Sequence, residues 1–243
     1  MKFKELIEGR RVAIVGPAAY MQGLSYGSEI DDFDVVVRIN RSVETTLKYP
    51  EDVGTRTDIL YSCLIETAAN GGKLDIKELT DLYKVKYICA PPYSNFSGVS
   101  ASTRLHPMVN NSKVKEISEH IPVRIVGHKF HTDLAKKVNS RPNTGFMAIY
   151  DLLEQNPKEL FVCGFSFYLD GFIPGCKSGI VEEKGVTEEE FGTMAFNSKR
   201  HNQKNMWSHA KETLRSHQSV TLDHKLFEIL NLPSLDKDLF QGG

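Results

Sequence analysis

The stretch Val12-Ala13-Ile14-Val15-Gly16 decides the fold, because it is a short apolar run that ends in a glycine followed by Pro17. A continuous apolar run closed by Gly-Pro is typical of a fully buried strand that enters a loop. The run from Phe33 to Asn40 follows soon after and is rich in β-branched residues, which favour strands. The two stretches predict two buried strands near the start of the chain.

Four further stretches repeat this strand-like pattern: Asp58 to Leu64, Val85 to Ala90, Val123 to Val126 and Leu160 to Phe165. Helix-like stretches alternate with them or follow them: Leu74 to Tyr83, Ser112 to His120, Phe130 to Val138, Thr144 to Gln155, His201 to His217 and Asp223 to Leu230. The alternation predicts an α/β fold. Because the strands are continuously apolar, we expect an open, mainly parallel sheet with helices on both faces and ligands at the carboxyl ends of its strands.

Length and composition favour one ordinary globular domain over residues 1–243, since the chain has 40% hydrophobic and 25% charged residues and we see no linker in it. The formal net charge is -1. A balanced charge provides no global basic field for a nucleic-acid backbone or an anionic membrane surface. We therefore expect neither partner, and any anion must be bound locally.

The beginning of the chain and its cysteines predict a cytoplasmic protein. The first ten residues, MKFKELIEGR, contain no apolar segment of the signal-peptide type, and no apolar run approaches the roughly 20 residues of a membrane span. The four cysteines show no CxxC or Cys/His metal spacing. This favours a reducing compartment, although an even number of cysteines leaves a disulfide bridge open.

Residues 170–200 form the irregular part of the sequence, with five glycine or proline residues before Glu188-Glu189-Glu190 and a further glycine after them. Long loops without structure are uncommon and are usually functional or disordered. We predict a mobile loop here that could cover a ligand. A merely flexible insertion is the equally weighted alternative.

Three positions could bind a ligand at strand ends or helix starts. The loop from Gly16 to Gly23 lacks both GxGxxG and a P-loop Lys-Ser/Thr, so it specifies neither a dinucleotide nor a triphosphate and could be only a tight turn. Asn40 closes the second strand, and Arg38 two residues earlier should point to the same face, although a turn asparagine is the simpler interpretation. Asn143 or Thr144 should cap the strongest helix, whose first-turn N–H groups could bind an anion, or the cap could be purely structural.

Metal ligands are weakly indicated. Asp32-Phe33-Asp34 has the Asp-x-Asp pattern that holds a divalent ion in many nucleotide-sugar enzymes, but here it precedes a strand instead of following one. His128 and His131 lack a third ligand.

His201 differs from these histidines because it opens a late helix directly after the glycine-rich segment, from which a neutral imidazole could act as a general base. A solvated histidine is the alternative, and His209 is the local competitor.

In their order along the chain, these features resemble the sialyltransferase family that includes the animal enzymes, in a short form like those of bacteria and viruses. Residues 12–23, with Gly27, residues 29–31, Asp34 and residues 37–40, are similar to the long motif of that family, which residues 52–57 close. Residues 141–145 through 162–165 are similar to its short motif. His201, with Asn202 and a helix behind it, is similar to its very short motif.

The resemblance implies a modified Rossmann-like, GT-A-like fold and an inverting glycosyltransferase that uses no metal and no cofactor. Its co-substrate would be a CMP-sugar, from which sialic acid or a related acidic keto-sugar passes to a hydroxyl of a glycan or glycolipid. The catalytic base would be His201. The donor-binding residues that the resemblance implies are Gly16, Pro17, Ala18, Arg38, Asn40, Asn143, Thr144, Gly145, Gly164 and Phe165.

Four positions depart from the family pattern. Pro17 stands where the family has an asparagine, and Met206 stands where it has an acidic residue five positions after the catalytic histidine. Val12 and Pro157 occupy the positions of a disulfide pair in animal members. The alternative function is therefore a non-catalytic relative that binds a nucleotide or a glycan.

Overall fold

The computed structural model of the protein describes residues 2–67, 74–94, 101–176 and 184–237. Within these ranges, seven strands form one sheet in the order β5-β4-β3-β2-β1-β6-β7, and every neighbouring pair is parallel. The strands are β1 Arg11–Val15, β2 Val35–Ile39, β3 Ile59–Tyr61, β4 Tyr87–Ala90, β5 Val123–Ile125, β6 Glu159–Cys163 and β7 Val220–Leu222.

Ten α-helices lie in the described ranges: α1 Phe3–Ile7, α2 Gly27–Asp31, α3 Thr45–Lys48, α4 Pro50–Val53, α5 Asn111–Ser118, α6 His128–Lys137, α7 Thr144–Leu153, α8 Glu188–Phe196, α9 Gln203–Thr213 and α10 His224–Asn231. Two 3-10 turns, Ala19–Met21 and Asn40–Glu44, and a π-helical turn, Glu78–Leu82, accompany them.

The strands are buried on both faces, which explains their continuous apolar sequence. In β1, Val12 and Ile14 pack into the core cluster that contains α1, α6, α7, α9 and α10. Ala13 and Val15 face the opposite side, where α2 and α4 cover the sheet. Successive side chains of a strand point to opposite faces, so a strand between two helical layers needs apolar residues at every position. The predicted open, parallel, doubly covered sheet is confirmed.

The order of the strands places a functional edge at β1 and β6. The chain proceeds from β1 outwards to β5 and then returns to β6 on the other side of β1. In open α/β sheets, ligands bind outside the carboxyl ends of the strands where the strand order reverses. Here that point lies between the loops that follow Val15 and Cys163.

The structure corrects several predicted elements. β7 was not expected, because it has only three residues and none of them is buried. The predicted helix over 74–83 covers only residues 76–82 and is mostly the π-helical turn, and His201 precedes α9 instead of opening it. Residues 170–200 are not irregular throughout, since α8 occupies Glu188–Phe196; residues 177–183 lie outside the described part.

Two further features bear on the sequence analysis. No disulfide joins the four cysteines, all of which lie in the described part of the chain. Across the described residues, the structure contains no helix with the length and apolar character needed to cross a bilayer.

Candidate active site

A cleft of about 230 Å³ opens at the carboxyl ends of β1, β2 and β6, where the strand order reverses. Its lining comes from the loops after these strands, the start of α7, the segment before α9 and one side of α8. Most of the predicted site residues line it: Pro17, Ala18, Asn40, Asn143, Thr144, Gly145, Gly164, Phe165 and His201. Residues from distant parts of the sequence thus meet at one site.

Two glycines in direct backbone contact form the floor of the cleft. The amide of Gly16 donates to the carbonyl of Cys163 at 2.8 Å, and the amide of Ala18 donates to the carbonyl of Gly164 at 3.0 Å. A Cβ atom on Gly16 would lie 2.2 Å from the carbonyl oxygen of Gly164. Gly164 also has a φ of 75°, which favours glycine. Gly16 therefore supports the cleft from below and does not line it.

We expect Gly16→Ala to destabilise the protein by about 1–3 kcal/mol and to lower its affinity for any ligand of the cleft, because the new methyl group must push the two loops apart. Gly127→Ala is a matched control, since a Cβ there meets nothing closer than the Cβ of Phe130 at 3.8 Å. Urea unfolding compares the two variants. Equal stability of both variants would contradict the proposed contact.

The N-terminus of α7 points at the cleft. Asn143 is the cap, and its Oδ1 accepts from the amide of Phe146 at 2.8 Å, so of the two predicted caps the structure selects Asn143. The amides of Thr144 and Gly145 stand in the first turn, where no helical carbonyl precedes them to accept. A Cβ on Gly145 would lie 2.8 Å from Cε1 of Phe165. The absence of a Cβ on Gly145 therefore makes room for the Phe165 ring, and a helix N-terminus of this kind favours an anion.

Asn40 and Arg38 have different environments, contrary to the prediction that both face the ligand. Asn40 lines the cleft with a φ of 48°, and its Oδ1 accepts from the amide of Cys63 at 3.1 Å. Its NH₂ group is the donor that this arrangement leaves for a ligand. The expected turn geometry and the expected position at the cleft therefore both apply to this residue.

The prediction that the Arg38 side chain faces the cleft is wrong. The side chain is 0% exposed and points into the opposite face of the sheet. Its Nη2 donates to the carbonyl of Val53 at 2.6 Å and its Nε to that of Arg56 at 2.9 Å. Burial lowers its pKa to about 10, so it stays charged at neutral pH. Arg38 fixes the 53–56 segment against β2.

Two contacts hold His201 in the cleft: a hydrogen bond of one ring nitrogen and a hydrogen bond of the following residue, Asn202. Nδ1 of His201 lies 2.9 Å from the carbonyl oxygen of Arg141, which can only accept, so Nδ1 carries the proton. The next residue, Asn202, caps α9, and its amide donates to Oγ of Ser140 at 3.3 Å. These contacts join the start of α9 to the segment that precedes α7. The Nε2 atom is left with its lone pair.

Burial keeps the imidazole of His201 neutral. It lowers the pKa of the ring to about 4, and the positive charges of Arg141 and Arg200 add to the effect, against the hydrogen bond to the Arg141 carbonyl. The buried His131 nearby has a pKa lowered to about 4 for the same main reason. At neutral pH, His201 is therefore in the form that can accept a proton.

An aromatic wall that was not predicted from the sequence lies beside the predicted residues. Phe167 and Tyr168 line the cleft just after Phe165, with φ of 53° and 64°. Phe172 also lines it and stacks on Phe191 of α8 at 5.6 Å. Positive φ at consecutive bulky residues is a strained backbone, and such strain clusters at functional sites. The aromatic run immediately after a strand end was the available signal.

The aspartates of Asp32-Phe33-Asp34 are occupied by a structural contact. Oδ2 of Asp34 accepts from the amide of Arg11 at 2.8 Å, and Asp32 pairs with the guanidinium of Arg11 at 3.1 Å. Across the described ranges, no group of three or more His, Cys, Asp or Glu side chains is arranged to hold a metal ion. Metal independence itself stays a prediction.

The parallel sheet with its reversal at β1 and β6, and the cleft above that reversal, define an α/β protein of the Rossmann-like, GT-A-like kind. Comparison with known proteins identifies the group within that kind. Residues 5–154 match the family Glycosyltransferase family 29 (sialyltransferase). The chain belongs to this family, as its motifs predict.

One relative and two solved structures illustrate the similarity. The mouse CMP-N-acetylneuraminate-beta-galactosamide-alpha-2,3-sialyltransferase 1 is 43% identical over 54 residues, which are 22% of this chain and 15% of the mouse protein. A mammalian sialyltransferase in complex with Gal-beta-1-3GalNAc-ortho-nitrophenol matches with a TM-score of 0.52 at 17% identity, over 90% of this chain and 71% of that one. The Campylobacter jejuni sialyltransferase CstII, in complex with the substrate analogue CMP-3FNeuAc, matches with a TM-score of 0.53 at 19% identity, over 88% and 80%. The two structures share the fold with this chain.

Proposed function

We propose that this protein transfers sialic acid or a related acidic keto-sugar from a CMP-sugar to a hydroxyl of a glycan or glycolipid, with inversion at the anomeric carbon. Family membership supports the class of reaction. The main structural support is that a neutral His201, fixed through Nδ1, lines the same cleft as the N-terminus of α7. A base and an anion site are the two groups that such a transfer needs.

The donor would bind along the strand ends and the start of α7. In this proposal, the amides of Thr144 and Gly145 face the phosphate, and the NH₂ group of Asn40 donates to the nucleoside or the sugar. The N-terminus of a helix has a partial positive charge and favours an anion. Charge that develops on the departing phosphate is stabilised there because the donors are already in place.

His201 would then act as the general base. Nε2 takes the proton of the acceptor hydroxyl while the hydroxyl oxygen forms its bond to the anomeric carbon and the carbon–oxygen bond to the phosphate breaks. CMP leaves with both electrons of that bond, and attack from the face opposite to CMP inverts the anomeric centre. A bound phosphate near the ring would raise the pKa of His201, which improves it as a base.

Neither a metal nor a cofactor is needed in this mechanism. CMP leaves with a single phosphate, so backbone N–H groups can neutralise the charge that a divalent ion must bridge in a diphosphate. The CMP-sugar is a co-substrate and is consumed in each turnover.

The alternative is a relative that binds a nucleotide or glycan without turnover. Pro17 lines the cleft without an N–H or a side-chain amide, and its carbonyl accepts from the amide of Ile173 at 2.8 Å. Met206 is 0% exposed in the core, so its position supplies no carboxylate to the site. This chain therefore lacks the amide at position 17 and the carboxylate at position 206 that the family pattern would supply.

Titration calorimetry tests the donor class directly. We expect CMP to bind with clear preference over CDP, UMP and NAD, and a chelator to leave the affinity unchanged, because the proposed contacts are N–H groups. Screening of CMP-sugars with glycan acceptors then separates an enzyme from a binding protein. A protein that binds only a diphosphate, and only with a divalent ion present, would contradict the proposal.

A further inference from the structure

We propose that Tyr20 and Asp223 are positioning residues that hold the floor of the donor cleft in its binding shape. The proposal rests on the proposed function, because it assumes that this cleft binds the CMP-sugar. Neither residue was predicted to be a site residue from the sequence: Tyr20 lies within the long-motif stretch, in the loop after β1, and Asp223 lies outside the stretches that resemble the family motifs. The two residues together are called the floor brace below.

Asp223 joins α10 to the loop after β6. The residue is 2% exposed. Its Oδ1 accepts from the amide of Leu226 at 2.8 Å and so caps α10. Its Oδ2 accepts from the amide of Gly164 at 3.0 Å and from the hydroxyl of Tyr20 at 2.7 Å. One carboxylate thus fixes the floor glycine, a helix and a tyrosine.

Tyr20 connects this carboxylate to the remaining parts of the floor. Its hydroxyl oxygen accepts from the amide of Phe165 at 3.1 Å. Its backbone amide donates to Oδ2 of Asp170 at 2.6 Å. The loop after β1 is therefore tied at two points to the loop after β6. Removal of the hydroxyl would leave both the Phe165 amide and Asp223 without one partner.

The brace acts on the ligand site through Phe165. The ring of Phe165 would contact a Cβ on Gly145 at 2.8 Å and one on Gly16 at 3.2 Å, so it fills the gap between the floor and the first turn of α7. A shift of the Phe165 backbone therefore moves the ring against the turn that we propose for the phosphate. Distances at that turn decide how well N–H groups stabilise charge.

The chemistry of the brace argues against a role in stability alone. Burial raises the pKa of Asp223 and also that of Asp170, which shows that the fold makes both carboxylates costly to ionise. In these contacts Asp223 and Asp170 accept from backbone amides and from the Tyr20 hydroxyl, none of which carries a positive charge. Apolar residues of similar size often stabilise such a position at least as well. The directional hydrogen bonds of Tyr20 and Asp223 at the floor of the cleft therefore indicate that these residues position the loop after β6.

Tyr20→Phe tests the brace, with Tyr61→Phe as the matched control. Both tyrosines donate to a buried aspartate, at 2.7 Å for Tyr20 and at 2.6 Å from Tyr61 to Asp151, and neither lines the cleft. Only the Tyr20 hydroxyl also accepts from the amide of Phe165, in the loop after β6. We expect Tyr20→Phe to weaken CMP binding about tenfold, since one hydrogen bond of about 1–1.5 kcal/mol is lost from the floor geometry. Tyr61→Phe should lose stability and keep its affinity for CMP, because the two hydrogen bonds from Arg124 to Asp151 still hold α7 in place.

Hydrogen exchange gives a readout that does not depend on the ligand. In Tyr20→Phe the amides of Gly164 and Phe165 should exchange faster, whereas in Tyr61→Phe they should exchange as in the wild type. If Tyr20→Phe does not fold, Asp223→Asn replaces it, because Oδ1 can still cap α10 while the new NH₂ group faces the Gly164 amide.

The outcomes are distinguishable. Wild-type protein that fails to bind CMP would overturn the proposed function and the brace with it. Wild-type protein that binds CMP, with the same affinity in Tyr20→Phe and unchanged exchange at Gly164 and Phe165, would overturn the brace alone. An equal loss of CMP affinity in both tyrosine variants would also overturn it, since the effect would then follow general stability.

Discussion

Transfer by the His201→Asn variant is expected to fall by about 10²–10⁴-fold, which is the usual contribution of a positioned general base. Asparagine can donate to the Arg141 carbonyl as Nδ1 of His201 does at 2.9 Å, so the start of α9 should keep its place. It has no basic nitrogen for the acceptor proton. CMP affinity should change little, because in our proposal the donor is held by α7 and Asn40. Transfer kinetics and CMP calorimetry on the same variant measure the two effects.

His209→Asn is the matched control for this prediction. His209 lies on the same helix, α9, and its ring packs at 5.2 Å from Tyr150 and at 6.2 Å from Phe146, but it does not line the cleft. The variant should transfer sugar at close to the wild-type rate. Full transfer by His201→Asn would remove His201 as the base, and a loss confined to His209→Asn would assign that role to its competitor.

The pH profile of the wild type checks the same assignment independently. A general base works in its neutral form, so the rate falls as the pH drops through its pKa. Burial lowers the pKa of His201 from 6.5 to about 4, so kcat/KM should hold its plateau well below pH 6.5. The inflection in kcat should lie at higher pH, because the phosphate of the bound donor raises the pKa.

The sheet could be predicted from sequence because its physical cause is local. A strand between two helical layers must be apolar at every position, and β1, β2 and β6 show that pattern without knowledge of their neighbours. The loops that follow such strands then meet at the reversal of strand order, which brought Ala18, Asn40 and Gly164 to one cleft. What the residues do there depends on contacts, which a pattern does not give.

Arg38 shows this limit. A charged residue two positions before Asn40 should share its face, but Arg38 donates its hydrogen bonds to the carbonyls of Val53 and Arg56 on the other face of the sheet. Because every residue has a backbone carbonyl, the sequence does not show which carbonyls accept these hydrogen bonds. The floor brace is hidden for a related reason, since Tyr20 and Asp223 are 203 positions apart.

Helix α8 is a different case, because the sequence does contain a signal for the start of this helix. Thr187 accepts from the amide of Glu190, and the Glu190 side chain accepts in turn from the amide of Thr187. This reciprocal pair is the S/T-x-x-E capping box that marks a helix start. The glycines around it drew attention to an irregular loop instead. Local helix signals therefore deserve equal weight in glycine-rich segments.

The Asp151→Ala variant is expected to lose about 3–5 kcal/mol of folding free energy, the largest stability effect that we predict. Asp151, on α7, is 2% exposed. Its carboxylate accepts from Nη1 and Nη2 of Arg124 at 2.6 Å and 2.8 Å and from the hydroxyl of Tyr61 at 2.6 Å. It thereby joins α7 to β3 and β5. Its removal leaves a largely buried guanidinium without its anion, and urea unfolding measures the cost.

Asp133→Ala is the control, since Asp133 pairs with Lys129 on the surface of α6, where both side chains are solvated. Solvated pairs contribute little, so no measurable loss is expected. A combined variant, Arg124→Met with Asp151→Leu, separates the worth of the pair from the cost of an unpaired charge. Near-normal stability of the combined variant would show that the pair specifies the position of α7 more than it stabilises the fold. A loss as large as that of Asp151→Ala would contradict this explanation, because no buried charge is then left without a partner.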